Sequence, residues 1–286
     1  MGWRCAGVRW GKDGAVLRWE GGRESALGVG RALGFRAVGE RRCVGARGHA
    51  CARRAVVAAG VTNPRCGECA RLERAHSVAA DTAVDDPRTY RVYLAWFGPG
   101  MVKVGITAEE RGSARLLEQG AVVFSWLGRG PLMAARRTEE VVRAALGVPD
   151  RIPYAAKRAA RAGLPPAPER AAEVAAVHRR ARGRREWADT LQPLEFEAVD
   201  HAEVFGLQGL APADAVVREL VDGGVVAGTL AAVAGPDLHL ETVGGSMVVC
   251  DTRVAVGWEL AGADARSALT VPVESTGGQD RQEGLF

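Results

Sequence analysis

The amino-acid sequence predicts an α+β protein with a central unit made of a β-hairpin and helices. Three observations support this class: a strand, a turn, a strand and a helix follow one another in residues 90–121, cysteines cluster in the N-terminal part, and short strands alternate with turns in the last hundred residues. The chain has 286 residues, of which 47% are hydrophobic, so it can bury a substantial core. We therefore expect an N-terminal β segment at 1–76, the central domain at 88–185, a small antiparallel β domain at 186–262 and a disordered tail at 263–286.

Two tryptophan-bearing runs at the start of the chain predict a β-hairpin. They read WRCAGVRW and AVLRWEG, with a short glycine-bearing turn between them. Similar short strands, rich in valine, recur in residues 225–260 between Gly-Pro-Asp and Gly-Gly turns. We expect the first hairpin to join this later sheet, which would bring the two ends of the chain together.

Four of the six cysteines have the spacing of a metal site. Cys66 and Cys69 form a C-x2-C pair, in which two thiolates from one turn take two corners of a tetrahedron. Cys51 and Cys43 are the first choice for the other two corners, and His49 is a substitute if its imidazole points inward. Because all ligands would be protein side chains, we expect a closed, structural zinc site rather than a catalytic one. The alternative is a group of buried free thiols.

Residues 90–121 predict a hairpin followed by a helix. Two β-favouring runs, 90–94 and 101–106, flank a Gly-Pro-Gly turn. Thr107 followed by Glu110 has the pattern of a capping box, so we expect the helix to begin there. Gly120 can end this helix in the left-handed conformation.

The predicted helix carries two arginines on one stripe. On a helical wheel Arg111, Arg115 and Glu118 fall together, and the preceding hairpin carries Tyr93. Two guanidiniums beside a tyrosine could hold a phosphate, because arginine offers a charged planar fork to its oxygens. The alternative is a solvated face on which the arginines pair with Glu118.

A further helix, predicted at Leu132–Leu146, carries a glutamate inside its apolar stripe. Glu139 falls within about 60° of the apolar residues of that stripe, whereas Glu140 points outward among arginines. A glutamate is almost never buried without a partner. We therefore expect Glu139 to bind either a metal ion or an arginine of the preceding helix.

Together these residues resemble the GIY-YIG nuclease fold: a tyrosine ten residues before a Lys-Val-Gly triplet, an arginine-bearing helix, and a glutamate on a second helix. In that family the first tyrosine acts near the attacking water, a helix arginine steadies the phosphate, and the glutamate binds one divalent metal ion. The resemblance implies these roles for Tyr93, for Arg111 or Arg115, and for Glu139 with Mg²⁺ or Mn²⁺.

Two positions depart from the pattern of that family. Arg91 stands where the first motif has glycine, and Lys103 stands where the second motif has its tyrosine. The KVGIT run, followed by an arginine and EQGA and preceded by the cysteines, resembles more closely an uncharacterised bacterial family known only as a domain of unknown function. The leading interpretation is metal-dependent phosphodiester hydrolysis with Lys103 in the catalytic set. The alternative is a zinc-containing nucleic-acid-binding module that has lost cleavage, with Lys103 as an added phosphate contact.

Charge is distributed unevenly along the chain. The net charge is +4, yet residues 186–286 contain 17 acidic and 4 basic side chains. Residues 31–74 carry ten arginines against three glutamates, and residues 151–185 carry ten basic side chains against two acidic ones. Such clusters predict DNA or RNA as a partner. Two alternatives stay open: the arginines reflect a compositional bias of the coding sequence, or the acidic part recruits a protein partner and the chain is an interaction scaffold.

The sequence predicts neither a membrane span nor a secretory signal. No apolar stretch approaches the roughly 18 to 20 residues that a membrane helix needs, and the first residues lack the apolar core of a signal peptide. We therefore expect a cytoplasmic location. Because the cytosol is reducing, metal binding or burial explains the cysteines better than disulfides do.

Overall fold

A computed structural model describes residues 2–11, 13–75, 86–184, 187 and 190–276. The chain divides into two compact units. One consists of Met1–Ala75 together with Ala211–Phe286, and the other of His76–Leu210. We name them the split unit and the inserted unit.

The described residues contain fifteen strands and seven α-helices. The strands are β1 (Gly2–Gly11), β2 (Gly14–Trp19), β3 (Glu24–Ala26), β4 (Ala32–Val38), β5 (Thr89–Trp96), β6 (Val102–Ala108), β7 (Val123–Pro131), β8 (Gln192–Pro193), β9 (Val199–Asp200), β10 (Ala215–Val217), β11 (Val225–Ala234), β12 (Asp237–Glu241), β13 (Met247–Asp251), β14 (Glu259–Gly262) and β15 (Val273–Ser275). The helices are α1 (Gly67–Ala75), α2 (Ala114–Gln119), α3 (Leu132–Leu146), α4 (Tyr154–Ala160), α5 (Ala167–Arg182), α6 (Ala202–Phe205) and α7 (Thr252–Ala255). None of the helices in these ranges has both the length and the apolar content that a membrane crossing requires.

The split unit is built on a ten-stranded sheet. Its strand order is β15-β10-β13-β12-β11-β4-β14-β1-β2-β3, and neighbours are antiparallel except for β10 and β13. Trp3 of β1 lies opposite Leu260 of β14, and Phe35 of β4 lies opposite Val226 of β11. Strands from both ends of the chain are therefore neighbours, and the prediction that the first hairpin joins the later sheet is confirmed.

Arg41 ties the cysteine-bearing segment to this sheet. Its side chain is 1% exposed, and a buried guanidinium is tolerated when its N–H groups find acceptors. The acceptors are the backbone carbonyls of Ala58, Ala59, Val61, Arg253 and Val256. The first three lie in the cysteine-bearing segment and the last two follow β13, so one buried cation joins the two parts of the split unit.

The inserted unit contains a five-stranded antiparallel sheet. Its order is β6-β5-β7-β8, and β9 also pairs with β7. In the central hairpin Tyr93 lies opposite Gly105, and Ala95 lies opposite Lys103. Helices α3 and α5 pack on β5 and β7. The predicted hairpin and the predicted helix Leu132–Leu146 are both confirmed.

The helix after the hairpin begins later than the sequence predicts. Strand β6 continues through Thr107, which is buried and lies opposite Arg91, and α2 starts only at Ala114 after a short 3-10 turn. No side chain caps the N-terminus of the 3-10 turn or of α2. The Glu110 carboxylate pairs with Arg88 at 3.1 Å instead. The capping-box prediction is therefore wrong, because Thr107 pairs with Arg91 in the sheet and does not cap a helix.

The domain limits differ from the expected ones, which placed a C-terminal β domain at 186–262 and a disordered tail from 263. Strands β8 and β9 pair with β7, so residues 190–210 belong to the inserted unit. Residues 263–276, expected as the start of a disordered tail, lead into β15, which pairs with β10. Residues 277–286 lie outside the described part of the chain.

Candidate functional site

Four cysteine sulfurs meet in the split unit. The Sγ atoms of Cys43, Cys51, Cys66 and Cys69 all lie within 4.8 Å of one another. Cys66 immediately precedes α1 and Cys69 lies in its first turn, whereas the other two come from loops. A tetrahedral zinc ion with Zn–S bonds of about 2.3 Å separates its sulfurs by about 3.8 Å. This group, which we name the cysteine cluster, has the dimensions to hold one metal ion such as zinc.

Backbone amides point at the sulfurs of the cysteine cluster. The Cys43 Sγ accepts the N–H of Gly45 at 3.4 Å and that of Cys66 at 3.2 Å. The Cys51 Sγ also accepts backbone N–H groups, and the bond from Ala55 is the main reason why the pKa of Cys51 falls to about 7. Amide donors stabilise a thiolate over a thiol, and the thiolate is the form that binds metal. Burial acts in the opposite direction at Cys43 and Cys69 and raises the pKa of both thiols.

The other candidates of this region stay outside the cysteine cluster. His49 is exposed, and its backbone forms a bridge with Ala46, so the four cysteines need no histidine substitute. Cys5 and Cys250 are buried elsewhere in the split unit, as expected for ordinary core thiols. Burial raises the pKa of Cys5 to about 11, which keeps this thiol protonated at neutral pH.

Four of the side chains predicted for the second site come together in the inserted unit. They are Tyr93 on β5, Lys103 on β6, Arg115 on α2 and Glu139 on α3. The Lys103 Nζ lies 5.7 Å from the centre of the Tyr93 ring. Arg115 and Glu139 are both close enough to shift the pKa values of Tyr93 and Lys103. We name these four residues the tyrosine cluster.

Tyr93 is positioned by a glycine and a glutamine. Its ring lies across β6 over Gly105, where a Cβ atom would overlap the phenol, so the glycine of the KVGIT run is what admits the ring. The hydroxyl accepts a hydrogen bond from the Gln119 Nε2 at 3.0 Å. Burial raises the pKa of Tyr93, so the phenol stays protonated at neutral pH.

Lys103 is a buried cation. Its side chain is 8% exposed, and its Nζ donates to the backbone carbonyl of Asp150 at 3.1 Å. Burial, together with the nearby positive charge of Arg115, lowers the pKa of Lys103 to about 8, although the Glu139 carboxylate opposes this shift. Lys103 therefore changes charge just above neutral pH.

Glu139 is half-buried on the stripe of α3 that the sequence predicts. Burial raises the pKa of its carboxyl group, and the charge of Lys103 is the largest opposing influence. Among the described residues its carboxylate has no hydrogen bond or ion pair, so the preceding helix does not supply the expected arginine partner. Glu140 behaves as predicted, since it is exposed and bonded to Arg143 at 2.9 Å.

The two candidate arginines have different surroundings. Arg111 donates two hydrogen bonds to Glu118, at 2.7 and 2.8 Å, in an exposed ion pair. Arg115 lies 3.9 Å from the same carboxylate and is close enough to Tyr93 to lower the pKa of its hydroxyl. Arg111 thus fits the alternative of a solvated ion pair, whereas Arg115 belongs to the tyrosine cluster.

The family model described as "Protein of unknown function (DUF2797)" matches residues 30–260. The chain belongs to this family. The matched region includes both the cysteine cluster and the tyrosine cluster, and the predicted resemblance to an uncharacterised family is confirmed. The likeness to the GIY-YIG fold stays a prediction. No curated protein and no solved structure matches the chain.

Sequence reasoning missed two neighbours of the tyrosine cluster in this DUF2797 chain. Gln119 is 7% exposed and bonds both the Tyr93 hydroxyl and the Arg115 carbonyl. Its position four residues after Arg115 could have indicated this, because such residues share one face of a helix. Asp150 lies in the loop after α3, and no periodicity marks it as the acceptor of Lys103.

Proposed function

We propose that this protein cleaves nucleic acid by metal-dependent phosphodiester hydrolysis at the tyrosine cluster, and that the cysteine cluster holds a structural zinc ion. One observation carries the proposal. Tyr93, Lys103, Arg115 and Glu139 come from four separate elements of the inserted unit and lie within interaction range of one another. A GIY-YIG-like site requires such a meeting of a tyrosine, a helix arginine and a glutamate.

Arg115 and Lys103 supply the positive charge for a phosphate group. The Arg115 guanidinium is about half exposed, so its planar fork is accessible to two phosphate oxygens. Lys103 adds a second positive charge in a less solvated position, where attraction to an anion is stronger. Both charges would stabilise the additional negative charge that develops on the phosphoryl oxygens as water attacks phosphorus.

Tyr93 acts as an orienting group rather than as a base. Its raised pKa keeps the hydroxyl protonated, and Gln119 already occupies one acceptor position of that oxygen. The phenolic O–H can donate, and because Tyr93 is only 2% exposed, a water molecule is the partner that suits it. Its rigid position over Gly105 would hold that partner in one place.

The residues around Glu139 fit a divalent metal ion of the Mg²⁺ or Mn²⁺ kind. Glu139 has no hydrogen-bond partner in the described part of the chain, and Asp150 is near enough to raise its pKa. Magnesium is commonly held by one or two carboxylates together with waters and substrate phosphates, so a single carboxylate with a second nearby is sufficient. When bound, the ion would polarise a phosphoryl oxygen.

The cysteine cluster fits zinc in a structural role. Four thiolates complete a tetrahedral shell and leave no position for water or substrate. Borderline-soft Zn²⁺ is a common choice for four sulfur ligands, and amide donors to Cys43 and Cys51 favour the ionised thiolates. The ion would fix the loops between Cys43 and Cys69.

A second candidate function is nucleic-acid binding without cleavage. Lys103 favours it, because its ammonium stands close to Glu139 and supplies some of the positive charge that a metal ion would otherwise bring. In this case Arg115 and Lys103 hold the phosphate backbone, and Glu139 serves to keep Lys103 protonated.

The deciding experiment is a cleavage assay on denaturing gels. Labelled single-stranded, duplex and branched DNA and RNA are incubated with the protein and Mg²⁺ or Mn²⁺, and Glu139→Gln is compared with the parent. Glu140→Gln is the matched control, since it removes an adjacent but exposed and ion-paired carboxylate. We expect Glu139→Gln to lower the cleavage rate at least about 100-fold and Glu140→Gln to leave it within about twofold.

Other outcomes distinguish the alternatives. Intact substrates in every lane, with a salt-sensitive shift of the same mixtures on native gels, would favour the binding module. The absence of both cleavage and salt-sensitive binding would contradict both functions and favour an interaction scaffold that uses the acidic part of the chain.

A further inference from the structure

A cleft of about 660 Å³ opens beside the cysteine cluster in the split unit. Its lining includes Arg4, Arg42 and Arg54, the carboxylate-bearing Glu20, and the ligand cysteines Cys43 and Cys51. A volume in this range is typical of sites that enclose a small ligand or a short stretch of a polymer. The nuclease proposal does not use this cleft, since all the groups of the tyrosine cluster lie in the inserted unit.

The positive charge in the cleft is only partly balanced. Glu20 is the one acidic residue in its lining, and its carboxylate lies 3.8 Å from the Arg4 Nε. That Nε is buried and has no hydrogen-bond partner in the described ranges. The Arg54 guanidinium has no ion pair or hydrogen bond there either. The Arg54 guanidinium therefore has donors available for an anion, and the charge of Arg4, whose side chain is 36% exposed, is opposed only by Glu20 at 3.8 Å.

Arg42 is held in place on the wall of the cleft. One of its terminal nitrogens donates to the Glu40 carboxylate at 2.6 Å, and the other donates to the Arg54 carbonyl at 3.0 Å. Its bond to the Arg54 carbonyl also fixes the loop that carries Arg54. Because Glu40 balances its charge, Arg42 serves to hold the loop of Arg54 in place.

Arg54 has a left-handed backbone conformation, which glycine adopts more readily than arginine. Its φ angle is +44°, and its N–H donates to the Cys51 carbonyl at 3.0 Å in a tight turn. This left-handed conformation is unfavourable for residues with a Cβ atom and costs glycine nothing. Arg47, which does not line the cleft, has the same kind of backbone conformation, so the strain at Arg54 supports a binding role only together with its position in the lining.

We propose that this cleft binds phosphate groups of a nucleic-acid strand, which Arg4 and Arg54 contact while Arg42 and the cysteine cluster fix the loop that carries Arg54. Arginine forks match phosphate oxygens, and two of them in one cleft suit a ligand with more than one phosphate. Residues 31–74, which include Arg42 and Arg54, carry ten arginines against three glutamates, a composition that favours a polyanionic ligand. The site belongs to the split unit and stands whether or not the tyrosine cluster cleaves its substrate.

The test is a binding titration with the full-length, metal-loaded protein. The probe is a fluorescein-labelled 12-nucleotide single-stranded DNA, and the variants are Arg54→Gly and the double variant Arg4→Gln/Arg54→Gly. Arg36→Gln is the matched control, because Arg36 is an exposed arginine of the same unit that does not line the cleft. We expect a loss of affinity of about threefold for the single variant and at least about tenfold for the double variant, with the control within about 1.5-fold.

Two further measurements keep the result unambiguous. Arg54→Gly should not lower Tm, because glycine suits the left-handed backbone, so weaker binding cannot be ascribed to unfolding. Zinc content, measured by elemental analysis, should stay equal in all variants. Unchanged affinity in the double variant would overturn the proposal. So would a loss of metal that parallels the loss of affinity, since the arginines would then balance the charge of the thiolates.

Competition identifies the source of the phosphate. If the strand is the ligand, unlabelled oligonucleotide displaces the probe while ATP and pyrophosphate do so only at concentrations at least about 100-fold higher. Displacement by ATP or pyrophosphate at concentrations comparable with the oligonucleotide would overturn the assignment to a nucleic-acid strand and make a free nucleotide the ligand of the cleft.

Discussion

The cysteine cluster and the tyrosine cluster differ in the sign of the charge that each gathers. In the cysteine cluster amide donors turn toward the sulfurs of Cys43 and Cys51, and the four thiolates that a metal site requires would be balanced by one cation. Among the four residues of the tyrosine cluster, Lys103 and Arg115 outnumber the half-buried carboxylate of Glu139, so an anion would balance their charge. The first arrangement suits a structural metal ion, whereas the second suits a phosphate group that binds reversibly.

The two clusters also differ in what they do to stability. A metal bound to the cysteine cluster would add its binding free energy to folding. The tyrosine cluster opposes folding at neutral pH, because the pKa of Glu139 is raised and that of Lys103 is lowered, both mainly by burial. Groups kept at such a cost are characteristic of functional sites.

The largest effect is expected from the cysteine cluster. Cys66→Ser removes one of four ligands, so metal content should fall below half of the parent value and Tm should fall by more than about 10 °C. Elemental analysis and calorimetry measure these changes. His49→Ala, which alters an exposed residue outside the cluster, should leave both unchanged. A Cys66→Ser protein with parental metal content would show that the sulfurs are ordinary buried thiols.

The next effect separates the two arginines beside the tyrosine cluster. If the proposed function is correct, Arg115→Gln should weaken binding of single-stranded DNA about tenfold and reduce the salt slope by about 1, because it would remove a phosphate contact. Arg111→Gln should change affinity less than about twofold, because Arg111 is engaged with Glu118. Fluorescence anisotropy at several salt concentrations tests the pair. Equal losses in both variants would mean that the surface of α2 acts only through its net charge.

A smaller effect concerns the stability of the Glu139 variant. The folded-state pKa of Glu139 lies above its unfolded value, so its ionisation costs stability as pH rises through the folded pKa, and the cost is absent below the unfolded pKa of about 4.5. Glu139→Gln should therefore raise Tm by about 1–3 °C at pH 7 and by much less at pH 4. Glu140→Gln should not raise Tm at pH 7, because Arg143 lowers the pKa of Glu140. A fall in Tm for Glu139→Gln at pH 7 would contradict the assignment.

The smallest effect is the pH dependence of binding. With a pKa of about 8, Lys103 is about nine-tenths protonated at pH 7 and about one-tenth at pH 9. Affinity for single-stranded DNA should therefore fall about threefold between these pH values, and Lys103→Arg should abolish the fall because arginine stays charged. If the parent and Lys103→Arg show the same pH profile, Lys103 is not a phosphate contact.

Local patterns were sufficient for the elements that frame the tyrosine cluster. The strand runs and the turn predicted β5 and β6, the apolar stripe gave the bounds of α3, and Gly120 ends α2 in the left-handed conformation. The spacing of the cysteines likewise selected the four that meet. In each case the information lies within a few residues of the element that it specifies.

Features that depend on distant partners were not predictable in this way. Thr107 and Glu110 match a capping box in isolation, but pairing with Arg91 extends β6 through Thr107. That extension delays α2 until Ala114, so Arg111 lies in the turn before the helix while Arg115 lies within it. The helical wheel that placed Arg111 and Arg115 on one stripe assumed that α2 begins before Arg111. The acceptor of Lys103 and the affiliation of residues 190–210 also depend on long-range contacts.

The position of β4 in the ten-stranded sheet determines the order in which the chain can fold on the ribosome. Its neighbours are β11 and β14, so both are translated after the entire inserted unit. At about 5–20 residues per second, β4 waits roughly ten to forty seconds for them with unpaired edges. The cysteine cluster has all its ligands within residues 43–69, so a metal ion can bind before any of the later strands emerges. Early metal capture would then protect the nascent first half of the split unit from aggregation until its partners are made.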